Sequence, residues 1–135
     1  LDNLQGCYQC HPGPQTQCLR DVMSQRGMDC LDCHGTMSQV AQNPNPWLNE
    51  PRCDTCHTDP NFAQNNALYR HSTGHSGIYC EACHDSTHAI APTVQANDAI
   101  KFIDWQGFQG TLRKCTVCHA TQPTRPGPHN LAVVR

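Results

Sequence analysis

Five copies of Cys-x-x-Cys-His dominate the sequence: Cys7-Cys10-His11, Cys30-Cys33-His34, Cys53-Cys56-His57, Cys80-Cys83-His84 and Cys115-Cys118-His119. They use ten of the eleven cysteines and five of the nine histidines. Cysteine pairs alone have three ordinary explanations. Small exported chains form disulfide frameworks, two pairs together hold structural zinc, and one pair acts as a redox dithiol. None of these requires a histidine directly after the second cysteine. C-x-x-C-H is the attachment signature of c-type haem. The two thiols add to the vinyl groups of one haem as thioethers, and the adjacent imidazole becomes the proximal iron ligand. The expected cofactor is therefore five covalently attached haem c groups, one for every 27 residues of the 135.

That density explains an odd composition. Leu, Ile, Val and Phe number 21, about 16% of the chain, where a soluble fold usually needs more than about 20%. The formal net charge is only −2, so charge repulsion does not account for the deficit. The porphyrins are expected to be the core and the chain a thin wrapper around them. Two haem propionates and a ferric iron add a net charge of about −1 per haem, which makes the holoprotein more acidic than its sequence. A basic nucleic-acid-binding face is excluded. So is a membrane span, because no apolar run approaches 18 residues.

The expected fold class is mostly irregular coil with a few short α-helices and little or no β-sheet. Ten prolines interrupt nearly every stretch. A short helical turn is expected over each C-x-x-C-H. The clearest longer helix is Asp98 to Gln106, capped by Asn97 or Asp98, with Ile100 and Ile103 on one face and Gly107 at its end. Thr121 to Pro128 reads as an extended loop ending at His129. The chain is expected to be one domain, 1–135. Arg20, Gly27, Cys30, Cys33, His34 and Ala41 recur fifty residues later as Arg70, Gly77, Cys80, Cys83, His84 and Ala91. This suggests an internal duplication of 7–50 and 53–96, with a fifth-haem segment, 97–135, appended.

Four histidines remain for the far side of the irons: His71, His75, His88 and His129. His88, four residues after His84, is the strongest candidate, and His71 the weakest. The supply is one short of five. Met37, three residues past His34, is the first choice for the missing ligand. Met23 follows, while Met28 aligns with Ile78 and reads as packing. Cys18 or an open iron are the other solutions. A methionine would raise that haem's potential.

The run Cys18-Leu19-Arg20-Asp21-Val22-Met23, the run Gly27-Met28-Asp29-Cys30-Leu31-Asp32-Cys33-His34-Gly35, and Trp47-Leu48-Asn49-Glu50-Pro51-Arg52-Cys53 carry a resemblance. So does Gly74-His75-Ser76-Gly77-Ile78-Tyr79-Cys80-Glu81-Ala82-Cys83-His84, followed by His88-Ala89. Nearly the whole chain resembles multihaem c-type cytochromes of metal- and sulfur-respiring prokaryotes. The resemblance implies electron transfer in extracellular respiration. Some similar proteins polymerise into filaments in which a histidine of one subunit ligates a haem of the next.

The expected function is electron transfer along five haems, not enzymatic catalysis, with a filament subunit as one form. A soluble periplasmic shuttle and a reductase with one open haem are the alternatives. Expected partners are other redox proteins or copies of the chain, and metal-ion or mineral acceptors. Covalent haem attachment takes place outside the cytoplasm, so an exported, extracellular or periplasmic chain is expected, with a leader removed.

Overall fold

A computed structural model describes residues 3–11, 18–45, 48–62 and 67–131. Irregular backbone predominates. Five helices punctuate it: α1 (Leu4–Cys7), α2 (Cys30–His34), α3 (Met37–Gln42), α4 (Cys80–His84) and α5 (Ala96–Gln106). Short 3-10 turns cover Ser24–Arg26, Cys53–Thr55, Tyr69–His71, His75–Gly77, Cys115–Val117 and Pro128–Asn130. Among the described residues there is no sheet, only one isolated antiparallel bridge between Thr73 and Tyr79. The coarse fold expectation holds.

Local side chains start the short helices. Asp29 accepts from the Leu31 amide at 2.7 Å, while Asp32 accepts from the Asp29 amide at 2.7 Å, a capping box around α2. Thr36 and Gln39 repeat the device on α3, at 3.3 and 2.7 Å. Between them Gly35 turns the chain at φ 74° and ψ −164°. A Cβ there would collide with the Gln39 side chain. Asp85, fifty residues on, ends α4 in nearly the same conformation, φ 71° and ψ 178°.

Helix α5 differs from expectation at its start. It begins at Ala96 after Gln95, which makes no side-chain cap. Asp98 does not cap it, because its carboxylate is engaged elsewhere. It accepts from Arg20 Nε at 2.7 Å and from the Thr93 hydroxyl at 2.9 Å. The helix ends as expected, at Gly107 with φ 88°. Its inward face is Ala99, Phe102 and Gln106, which are buried, whereas Ile100 and Ile103 are 51% and 46% exposed.

Around α5 the chain is tied by long-range hydrogen bonds. Val22 donates to the Ile90 carbonyl at 3.1 Å, Val94 to Arg20 at 2.9 Å, and Leu112 to Cys83 at 2.9 Å. The buried apolar residues among those described are Tyr69, Ala89, Ala91, Ala99 and Phe102, three of them alanines. The chain exposes 9352 Å². A compact protein of 15.0 kDa exposes about 7,000 Å². The polypeptide thus buries little apolar surface for its size.

Candidate functional site

All five C-x-x-C-H segments adopt a single helical turn. In the second and fourth, the turn is α2 and α4. In the others, His11, His57 and His119 donate their amides to the carbonyls of Cys7, Cys53 and Cys115, each at 2.9 Å. Residues three and four apart share a face of such a turn. Both thiols and the imidazole of each motif therefore project to one side.

No disulfide joins any of the eleven cysteines. Among the described residues, no three His, Cys, Asp or Glu converge as a metal-holding group, so the four-ligand zinc arrangement is not built. Burial pushes the Cys30, Cys33, Cys80 and Cys83 thiols above their usual range. Redox dithiols show the opposite shift. The same thiols locate the motifs relative to one another. Neighbouring sulfurs add to the rise, Cys7 for Cys30, Cys56 for Cys33 and Cys118 for Cys83. The first motif thus lies beside the second, the second beside the third, and the fourth beside the fifth.

The histidines outside the motifs are the most informative feature. His34 and His88 have ring centroids 6.2 Å apart, His75 and His119 5.9 Å, and His84 and His129 5.8 Å. Each pair joins one motif histidine to one non-motif histidine. The ring planes are inclined at 50°, 60° and 52°, so the rings do not stack. Edge contacts between aromatic rings span this range. Two imidazoles facing each other across one metal ion come close to it: metal–nitrogen bonds of about 2.0–2.1 Å place the centroids about 6.3 Å apart.

Both rings of such a pair must be neutral to offer a lone pair. Desolvation, then the neighbouring His88 and His11, hold His34 below the usual imidazole range. Desolvation and His129 do the same for His84. A cleft of about 140 Å³ opens beside Cys33 and His34, with Val40 and Pro51 in its wall.

No family model, curated protein or solved structure matches the chain.

Of the four non-motif histidines, His75, His88 and His129 meet motif partners and His71 does not. His71 Nε2 accepts from Arg70 Nε at 3.3 Å, which occupies its lone pair. Among the described residues neither His11 nor His57 faces a second histidine ring. Met37 is the first residue of α3 and half-buried. Its nearest motif histidine in sequence, His34, is paired with His88 instead. Met23 precedes the Ser24–Arg26 turn, and Met28 follows it, half-buried. Cys18 lies within electrostatic reach of Tyr8 and Cys30.

Two contributors have no signal in the sequence. The Asn61 carbonyl accepts from His129 Nδ1 at 2.8 Å. Gln106, buried at the end of α5, accepts from the amides of Arg113 and Lys114 at 3.0 and 3.4 Å. Its Nε2 donates to the carbonyls of Phe108, Gly110 and Thr111 at 3.1–3.2 Å. It shapes the loop that leads into Cys115.

Proposed function

We propose that this chain is a pentahaem c-type cytochrome that carries electrons. Cys7/Cys10, Cys30/Cys33, Cys53/Cys56, Cys80/Cys83 and Cys115/Cys118 hold the haems, with His11, His34, His57, His84 and His119 as proximal ligands. The observation that carries the proposal is the pairing of His34, His84 and His119 with His88, His129 and His75 at 5.8–6.2 Å. Two imidazoles sharing one iron would stand close to this, about 6.3 Å apart. The sparse apolar core and the excess exposed surface support it as well, since a porphyrin supplies the missing apolar bulk. A haem ligated on both faces supplies one-electron transfer at its iron.

The chain would work outside the cytoplasm, in extracellular respiration, with redox proteins, copies of itself or metal-ion acceptors as partners. No described helix is long and apolar enough to cross a membrane. A second reading, ligand binding or reduction at an open haem, is favoured by one observation: His11 and His57 face no second histidine among the described residues. Expression with a c-type haem maturation system tests the proposal. Five covalent haems per chain, with a bis-histidine low-spin spectrum for at least three, are expected. A chain exported through that system without covalent haem would overturn it.

A further inference from the structure

We infer that the far-side ligands are crossed between motifs: His75 serves the fifth, His88 the second and His129 the fourth. The inference rests on the haem proposal and deepens it. The segment from His75 to His88 then holds three groups at once: its own at Cys80–His84, and one at each flank that belongs to a distant motif.

Sequence distance points the other way for two of the three. His75 lies five residues before Cys80, and His88 lies four after His84, at the spacing of helical neighbours. Neither ring meets His84. His75 faces His119 at 5.9 Å, and His88 faces His34 at 6.2 Å. His84 faces His129, 45 residues onward, at 5.8 Å.

The backbone is bent for this purpose. His88 and His129 have φ 66° and 59°, and Ser76, next to His75, has φ 55°. Non-glycine residues occupy this left-handed region rarely and at a steric cost, and such outliers cluster at functional sites. Each of the three crossing histidines sits at or beside one of them. His71, which crosses to no motif, does not. Behind the reversal at His88, the Ala89 amide returns to the Ser86 carbonyl at 3.0 Å and the Ala91 amide to the His84 carbonyl at 2.8 Å.

His129 carries its own positioning contacts. A carbonyl oxygen only accepts, so Nδ1 must carry the proton donated to Asn61. In the neutral ring the lone pair is then on Nε2, the tautomer that second-shell carbonyls impose on metal-bound histidine. The Phe62 ring stands edge-on to His129 at 5.4 Å and limits its rotation.

A paired substitution in the five-haem protein tests the crossing without removing a haem. His75→Met and His119→Met each take one haem out of the bis-histidine low-spin signals in electron paramagnetic resonance. With crossed ligands, the double variant still changes only one haem, which then carries methionine on both sides. If His75 belongs to any other motif, the double variant changes two haems, and the inference is overturned. The pairs His88/His34 and His129/His84 pose the same count, should the first double variant not fold. Haem stoichiometry separates the two levels: five haems with two changed overturns the crossing alone, whereas no covalent haem overturns the proposal beneath it.

Discussion

The His129 imidazole is anchored to the Asn61 main-chain carbonyl at 2.8 Å, so a residue just past the third motif orients the ring that faces the fourth. Asp59 builds the turn that presents this carbonyl, accepting from the Asn61 amide at 2.9 Å and its side chain at 3.0 Å. Because the contact to His129 is to main chain, Asn61→Ala should leave the low-spin spectrum of all haems unchanged. Asp59→Ala loosens the turn and should weaken ligation by His129. Loss of such supporting contacts typically lowers metal affinity 10–100-fold. The check is a competition titration with imidazole, followed in the Soret band.

Carbon monoxide counts the irons that lack a sixth ligand, read from a reduced-minus-carbonyl difference spectrum calibrated against total haem. The ring of His129 stands 5.8 Å from that of His84. His129→Ala should therefore raise the count by one.

Gln106 joins five main-chain groups of the loop 108–114. Gln106→Leu removes the partner of all five part-buried groups, at about 0.5–1.5 kcal/mol for each hydrogen bond lost. A loss of at least about 2 kcal/mol in chemical denaturation is expected. The fifth haem, attached directly beyond this loop, should be the one whose spectrum broadens.

Gly35 and Asp85 hold matching conformations at the ends of α2 and α4, and they predict unequal responses. Gly35→Ala introduces a Cβ at φ 74° against Gln39 and should lower stability by about 1–3 kcal/mol. Asp85→Gly relieves a left-handed residue but loses the ion pair to Lys101 at 2.9 Å. That pair is partly exposed and is worth less than about 1 kcal/mol, so the net change should be small. Thermal unfolding of both variants checks the contrast.

Burial pushes the Tyr69 phenol far above its ordinary range, while its hydroxyl donates to the Asp85 carbonyl at 2.7 Å. The folded state therefore keeps this proton at pH values where the unfolded chain releases it. Its contribution is fully present below the unfolded pKa of about 10 and declines as pH rises above that value. The slope is about 1.4 kcal/mol per pH unit. Tyr69→Phe should remove this portion of the alkaline decline, measured by denaturant titrations at pH 9 to 11, a range set around the tyrosine reference of about 10.

The five motif turns were legible because their chemistry is local: three- and four-residue spacings need only one turn of helix. Gly107 was legible as a helix end for the same reason. The start of α5 was not, because Asp98 is engaged by Arg20 from 78 residues away, and no local pattern carries that contact. Which face of α5 packs inward was not legible either: Ile100 and Ile103 are the more apolar pair, yet Ala99 and Phe102 are the buried ones. The sequence offered His71, His75, His88 and His129 as candidate ligands and left their partners open. The pairing depends on left-handed residues at His88 and His129 and on long chain reversals, which residue identity alone does not encode. The same holds for the Asn61 carbonyl, since any residue could supply it.

The central claim is that the five C-x-x-C-H turns hold haem. Intact-mass analysis with a pyridine haemochrome assay on natively purified protein tests it most directly. The account predicts the mass of the chain plus five haems, with the spectrum of doubly thioether-linked porphyrin. A chain without porphyrin, its cysteines in disulfides or on zinc, would contradict it.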